Sequence, residues 1–206
     1  MLISIPELNI TKPIKGIIHL GAHECEERND YLNYFQLDDS KILWFDALPY
    51  KVELMKQQIP NLQIYNVCLG NEDDKDVSFM VTNNFQSSSM LNLKTHLQEH
   101  PHVYEIGRIH LKTKTLNTFF REHQFQPENY NFMNLDLQGA ELLALQGSTN
   151  ILPHIDYIYS EVNEKELYEN CASITDLDQY LSNYGFERVL TNMTQHGWGD
   201  ALYVKK

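Results

Sequence analysis

The stretch GIIHLGAHECEE at residues 16–27 constrains the fold of this chain more than any other. The apolar run IIHL predicts a short buried strand. Gly21 and Ala22 then allow a tight turn, and the polar residues after them open a predicted helix. Such a turn aims free backbone N–H groups at a ligand above it, as in the nucleotide pockets of doubly wound sheets. The full G-x-G-x-x-G is absent, so this stretch alone also fits an ordinary strand-to-helix turn.

The residues that follow repeat the same alternation. KILWFDALPY reads as a second strand that ends at Asp46, a helix runs up to Pro60, and NLQIYNVCLG reads as a third strand. This βαβαβ order with short connections predicts a parallel sheet with right-handed crossovers. Asp46 lies 25 residues after Gly21, at the end of the second strand, where an acid typically binds the ribose of a nucleotide. Its alternative role is a helix N-cap, which the apolar residues and proline after it make less natural.

The middle of the chain predicts an extra β element and two loops. DVSFMVTNN alternates like a strand beside the main sheet, and LKTKTL is a second strand candidate. The triplet of Ser87, Ser88 and Ser89 is either a ligand-binding loop or a flexible linker. The histidine-rich segment at residues 95–110 is predicted to be a mobile lid over the pocket, without zinc. Its alternative is a zinc site of histidines, although Pro101 ends the helix and no cysteine or His-Glu motif completes a site.

YNFMNLDLQGAELLALQG predicts a second strand–turn–helix unit. Its strand ends at Asp136, which together with Gln138 and Glu141 is expected at the same edge as Asp46. A half-buried aspartate between two leucines is costly unless it is paired or used chemically. HIDYIYSEVN predicts a fifth strand that brings Glu161 and Asn163 to this edge.

The remaining residues predict a helix and a closing hairpin. TDLDQYLSNYGF reads as a helix that starts at Thr175 or Asp176 and stops before Gly185, and two strands are joined around HGWG. Residues 1–206 are therefore expected to form one α/β domain. Its Rossmann-like layout is a mostly parallel seven-stranded sheet with an antiparallel hairpin and an extra β insertion, as in class I methyltransferases.

Composition narrows the partners. A formal net charge of −12 argues against nucleic acid, because phosphate backbones require a basic face. No segment reaches the roughly 20 apolar residues of a membrane span. Three widely spaced cysteines and an amino terminus unlike a secretory signal predict a cytoplasmic protein. The chain is also compatible with being a piece of a longer, multidomain glycan-synthesis protein.

The sequence resembles the FkbM-type methyltransferases, class I enzymes that use S-adenosylmethionine to methylate hydroxyl oxygens. The matching pieces are IIHLGAHECEE, ILWFDALP, NVCLGN, the serine triplet, KTKTLNTFF, FMNLDLQGAELLALQG and GWGDALYVK. The most specific is LDLQGAE, which is similar to the signature acid-x-E/Q-G-A-E. The sequence departs from the family pattern where His19 replaces an acid, Cys25 replaces a glycine and Asp46 replaces a glutamate.

The resemblance implies a set of site residues. Catalysis is assigned to Asp136 and Glu161. S-adenosylmethionine binding is assigned to Gly21, Ala22, His23, Glu24, Asp46, Ala47, Cys68, Ser89 and Asp136. Binding of the acceptor, a glycan or other small molecule, is assigned to Ser87, Ser88, Gln138, Glu141 and Asn163. Because His19 replaces the acid of the first strand, Glu24 or Asp136 is the candidate to hold the methionine amino group.

The expected reaction is methylation of a sugar hydroxyl, such as that of a deoxyhexose like rhamnose. Such a hydroxyl needs a base or a metal to remove its proton, and a base typically contributes about 10²–10⁴-fold in rate. Asp136 is the preferred base, with Glu161 second; the alternative is magnesium held by Asp136, Glu161 and Asn163. The rival function is a non-catalytic nucleotide- or glycan-binding module, whereas a nicotinamide enzyme would require the missing dinucleotide fingerprint.

Overall fold

The computed structural model describes residues 2–206, which fold around two β-sheets. The strands, in chain order, are β1 (Ile17–Leu20), β2 (Ile42–Asp46), β3 (Ile64–Asn66), β4 (Cys68–Leu69), β5 (Asp76–Thr82), β6 (Glu105–Lys114), β7 (Phe132–Leu135), β8 (Tyr157–Asn163), β9 (Phe186–Met193) and β10 (Trp198–Lys205). The α-helices are α1 (Arg28–Tyr34), α2 (Pro49–Gln58), α3 (His96–Glu99), α4 (Leu116–Glu122), α5 (Glu141–Gln146) and α6 (Ile174–Ser182).

The main sheet has seven strands in the order β3-β2-β1-β7-β8-β10-β9. The first five are parallel, and β10 is antiparallel to both β8 and β9. The chain continues from β1 to β2, toward the β3 edge of the sheet, and from β7 to β8, toward the β9 edge. The predicted fold class is therefore confirmed, including the closing hairpin.

The extra β insertion forms a separate three-stranded sheet in the order β4-β6-β5. The stretch NLQIYNVCLG was expected to be one strand, but it divides between the two sheets. Trp44 of β2 pairs with Ile64 in the main sheet, whereas Cys68 pairs with Thr113 of β6 in the small one. The expected lid at residues 95–110 is also shorter, because its last six residues belong to β6 and pair with β5.

Two helices begin elsewhere than predicted. The first helix starts only at Arg28, because His23 and Cys25 have φ angles of 40° and 54°, which no right-handed helix accommodates. The last helix is capped by Ser173 rather than by Thr175 or Asp176. The Ser173 hydroxyl accepts from the Asp176 N–H at 3.2 Å, while the Asp176 carboxylate accepts from the Ser173 N–H at 2.8 Å.

The core lies on both faces of the main sheet. Ile18 and Leu20 of β1 pack into one buried cluster and Ile17 into the other, as the alternation of a strand requires. The fourth side chain of β1, His19, lies instead against the rings of Tyr31 and Trp44. Among the residues the structure describes, no helix has the length and apolar composition needed to cross a membrane.

Candidate active site

A cavity of about 430 Å³ opens above the carboxyl ends of the central strands. Gly21, Asp46, Asp136 and Glu161 line it, one from the end of each of β1, β2, β7 and β8. The cavity thus lies where the connections from β1 and β7 lead in opposite directions. In open α/β sheets this switch point is the usual place for a ligand.

Gly21 allows the turn after β1 to lie directly against the end of β7. Its φ is +93°, and a β-carbon at this position would stand 1.8 Å from the carbonyl oxygen of Asp136. The N–H groups of Gly21 and Ala22 both donate to the carbonyl of Phe45 at 2.9 Å. The expectation that these groups are free for a ligand is therefore wrong, because they join β1 to β2.

Asp46 fastens this turn with its side chain. Its carboxylate accepts from the backbone N–H of His23 and from that of Leu48, each at 2.8 Å. Burial raises the pKa of Asp46, while these two hydrogen bonds oppose the rise. A carboxylate offers about four acceptor positions, so Asp46 retains capacity for further hydroxyl donors in the cavity.

Asp136 and Glu161 meet across the amide of Gln138. The Gln138 Nε2 atom donates to Asp136 Oδ1 at 2.6 Å and to Glu161 Oε2 at 2.9 Å. Enclosure within the cavity raises the pKa of Asp136 and raises that of Glu161 well above the usual range. The Asp136 side chain remains accessible to solvent inside the cavity, whereas that of Glu161 is half-buried. Carboxyls with a raised pKa in a cavity are candidates for exchanging protons with a ligand.

The lining of the cavity carries several acidic side chains and, within residues 2–206, no lysine or arginine. Glu27 and Asp200 line it together with Asp136 and Glu161, and burial also raises the pKa of Glu27. Such a lining favours a cationic or neutral ligand over an anionic one.

His19 occupies the position where the resemblance predicts an acid. Its Nδ1 atom lies 3.0 Å from the hydroxyl of Tyr31, which also accepts from Asn134 Nδ2 at 2.6 Å. Burial lowers the pKa of His19 to about 4, so the ring is neutral at pH 7. The Glu27 Oε2 atom lies 3.9 Å from Nε2 of this ring, so the residue just before α1 places a carboxylate beside the neutral His19.

Ten of the predicted site residues line the cavity. They are Gly21, His23, Asp46, Ala47, Cys68, Ser87, Ser88, Asp136, Gln138 and Glu161. His23 is notable among them because its Nε2 atom is buried and has no hydrogen-bond partner among the described residues. Its other ring nitrogen lies 2.6 Å from Glu26 Oε1.

Five predicted residues fall outside the lining, and most have structural partners. Glu141 accepts from the N–H groups of Leu137 and Gly139 at 2.9 and 3.1 Å, which holds the turn after β7. The hydroxyl of Ser89 donates to the carbonyl of Gln138 at 2.8 Å. The remaining three are Glu24, which pairs with Lys51, and the buried Ala22 and Asn163.

The segment predicted as a lid contributes to the opposite wall. His96, His100, His102 and Val103 line the cavity beside the serine loop. The rings of His96 and His100 are tilted by 50° with their centroids 4.9 Å apart, and burial lowers the pKa of His96 to about 4. Within the described part of the chain, no three or more His, Cys, Asp or Glu side chains are arranged to hold a metal ion.

Among the lining residues that sequence reasoning missed are three titratable ones, Glu27, Tyr168 and Asp200. Asp200 lies in the quoted GWGDALYVK, and its position inside a predicted strand was a usable signal. Glu27 lay within the predicted helix start, where an acid is commonplace. Tyr168 had no signal, because it follows β8 in an irregular segment that only the tertiary fold brings to the cavity.

Comparison with known proteins agrees with this geometry. Residues 19–188 match the family described as "Methyltransferase FkbM domain". The chain is 23% identical over 171 residues to the 2-O-methyltransferase NoeI of Sinorhizobium fredii (strain NBRC 101917 / NGR234), covering 78% of this chain and 68% of that protein.

A solved structure shares the fold. The crystal structure of methyltransferase FkbM from Methylobacillus flagellatus KT superimposes on 92% of this chain with a TM-score of 0.55 and 12% identity. This chain spans 43% of the length of that protein, and at such identity the likeness shows the fold alone. The family match covers most of the sequence and confirms the predicted resemblance. The chain therefore belongs to the FkbM family of S-adenosylmethionine-dependent methyltransferases.

Proposed function

We propose that residues 1–206 act as one domain that methylates a hydroxyl group of a neutral sugar, with Asp136 as the general base. The observation that carries this proposal is the accessible carboxylate of Asp136 on the floor of an acid-lined cavity. S-adenosylmethionine, when bound, supplies a methyl group activated by a positively charged sulfonium.

The cavity residues fit this cofactor. Asp46 has acceptor capacity for ribose hydroxyls, and the buried Nε2 atom of His23 beside it has no hydrogen-bond partner within residues 2–206. Glu27 is the carboxylate we assign to the methionine amino group, since Glu24 faces Lys51 and His19 is neutral. A cationic cofactor is also favoured by a lining that carries Glu27, Asp136, Glu161 and Asp200.

Asp136 and Glu161 have different roles in the proposed reaction. With S-adenosylmethionine bound, the bond that the sugar oxygen forms to the methyl carbon would replace the bond between that carbon and the sulfur, whose electron pair would stay on the sulfur. The hydroxyl proton would pass to the Asp136 carboxylate. Glu161 binds a neighbouring hydroxyl and is the reserve candidate for the base. Both groups have a raised pKa, which brings them toward the range where a base works best at neutral pH.

A neutral acceptor is supported by the lining and by a relative. The cavity offers no lysine or arginine from residues 2–206 for a phosphate or carboxylate. Ser87 and Ser88 can bond hydroxyls, and Trp198 gives an aromatic surface. The relative NoeI is named a 2-O-methyltransferase, which supports oxygen as the methylated atom. A deoxyhexose such as rhamnose in a glycan is the acceptor we would test first.

The test is Asp136→Asn, which keeps the shape and removes the base. We expect turnover of rhamnose-containing glycans, measured as a mass gain of one methyl group, to fall by about 10²–10⁴-fold. Affinity for S-adenosylmethionine should change far less, since Glu27 and Asp46 remain. Full activity of Asp136→Asn would exclude this base and make Glu161→Gln the next variant. Loss of wild-type activity with chelator and recovery with magnesium would instead support the metal alternative.

A non-catalytic binding module is the second candidate. The observation that favours it is the neutral His19 in the position of the family's acid. This candidate predicts that the wild-type protein binds S-adenosylmethionine in calorimetry yet methylates none of a panel of glycans. Turnover of any of them would exclude it.

A further inference from the structure

Gln138 was predicted to bind substrate, but its side chain is fully engaged with the protein. Its nitrogen donates one hydrogen to Asp136 at 2.6 Å and one to Glu161 at 2.9 Å. Its oxygen accepts from the hydroxyl of Tyr168 at 2.6 Å. An amide has only two hydrogens to give, so none remains for a sugar.

Tyr168 determines which way this amide faces. When the two acids are ionised they accept but cannot donate, so in that state the nitrogen of Gln138 must face them and its oxygen must face a donor. The Tyr168 hydroxyl is that donor, and it also lies 3.3 Å from the carbonyl oxygen of Ser87. Tyr168 is 1% exposed and its ring packs against His96, which leaves it little freedom to turn away.

The backbone of Gln138 is held just as firmly. Its φ of 53° is left-handed, an uncommon conformation for a residue with a side chain. The hydroxyl of Ser89 donates to its carbonyl at 2.8 Å, which ties the serine loop to the turn after β7. The backbone of Gln138 is thus fixed by Ser89, and its side-chain amide is fixed by Tyr168.

We propose that Gln138 and Tyr168 are positioning residues, with the amide of Gln138 holding the carboxylates of Asp136 and Glu161 side by side and Tyr168 fixing that amide. Their role in methyl transfer rests on the proposed function, whereas the hydrogen bonding does not. One oxygen of each acid is bound by the amide, which leaves the second oxygen of each available to the sugar hydroxyls.

The arrangement has a measurable electrostatic consequence. Enclosure and the mutual repulsion of the two acids raise the pKa of Glu161, and the bond from Gln138 opposes that rise. The other titratable groups that face the pair are His19, Glu27, Glu141, Tyr168 and Asp200, none of which is cationic at pH 7. Among the groups that act on Glu161, the amide of Gln138 is the one that favours the ionised form, whereas for Asp136 the amide acts together with His19.

The experiment is a ¹³C NMR titration of the side-chain carboxyls of Asp136 and Glu161 in the ligand-free protein. Gln138→Met keeps an unbranched side chain and removes both donors, so we expect the apparent pKa values of the pair to rise by about one to two units. Tyr168→Phe leaves the amide in place but unfixed, and should shift the pair in the same direction by less. Tyr180→Phe is the matched control, because its hydroxyl bonds Leu145 outside the cavity and should shift nothing.

Unchanged titration of the pair in Gln138→Met overturns the proposal. So does a Tyr168→Phe shift no larger than that of Tyr180→Phe, a comparison that remains available if Gln138→Met fails to fold. With a working acceptor, Gln138→Met should also lower kcat at pH 7 and regain activity at higher pH, with little change in KM. Failure of the wild-type protein to bind S-adenosylmethionine would contradict the proposed function, while the ligand-free titration would still decide the role of Gln138.

Discussion

A single carboxylate, that of Asp46, serves both the protein and the proposed ligand. It holds the turn after β1 through the N–H of His23 and the start of α2 through that of Leu48. Its remaining lone pairs face the cavity. Sequence reasoning predicted the second role from the spacing after Gly21, with a helix N-cap as its alternative. The hydrogen bond from His23 could not be predicted, because it depends on the left-handed conformation of that residue.

We expect Asp46→Ala to weaken binding of S-adenosylmethionine by at least about tenfold. Hydrogen bonds to a charged group contribute about 1.5–3 kcal/mol each, and both ribose hydroxyls would lose theirs. Calorimetry on Asp46→Ala and Asp46→Asn separates loss of charge from loss of the turn. Asp38→Ala is the control, since that carboxylate accepts from Ser40 N–H outside the cavity. Equal affinity in Asp46→Ala would remove Asp46 from the site.

Alanine substitutions at Gly21 and Gly185 can be compared to measure what the close packing at Gly21 contributes to stability. Both have positive φ, of +93° and +82°, but a β-carbon at Gly185 would meet nothing within 4 Å. Gly185→Ala should therefore cost only backbone strain, about 1 kcal/mol of unfolding free energy. Gly21→Ala adds overlap with the carbonyl of Asp136 and should cost at least about 3 kcal/mol. Urea denaturation curves measure both, and equal costs would contradict the role of the close approach.

At the scale of elements, the strands and helices of the main sheet were predictable because each carries a clear periodicity. Prediction failed where the strand pairing of a short segment depends on the strands that lie beside it in the fold. The stretch at residues 61–70 is apolar enough for one strand, yet pairing with β2 and β6 pulls its two halves into different sheets. The site was only partly predictable for the same reason, since Tyr168 and Gln138 meet through tertiary contacts.

The part of the predicted lid that lies before β6, residues 95–104, remains a predicted lid. It is tied by Glu99, whose carboxylate lies 2.7 Å from Lys165 and 2.9 Å from His196. We expect its amide hydrogens to exchange quickly without ligand and to become protected when S-adenosylmethionine and a methyl rhamnoside are both present. Hydrogen exchange by mass spectrometry tests this, with α6 as an unaffected reference. Identical exchange with and without ligands would contradict a lid.

The acids that line the cavity predict that binding of the cofactor depends on pH. The pKa values of Glu27, Asp136 and Glu161 are raised in the ligand-free protein, so these acids take up protons at a higher pH than ordinary carboxyls do. A cationic cofactor prefers their ionised forms, and its affinity should therefore rise with pH. We expect binding at pH 7.5 to be about tenfold or more tighter than at pH 5.5, which corresponds to roughly half a linked proton or more averaged over this range. Calorimetric affinities that do not change over this range would contradict the assignment.

The strand order has a consequence for how the chain is made. β10 follows β9 in sequence but lies between β8 and β9 in the sheet, and it carries Asp200 to the cavity. Until β10 leaves the ribosome, β8 and β9 each expose an unpaired edge, a state prone to association with other strands. The cavity floor is likewise incomplete until then. A ribosome that stalls just before Trp198 would therefore present an intermediate with two unpaired strand edges and a cavity without Asp200. Both the main sheet and the cavity thus depend on β10 for their completion.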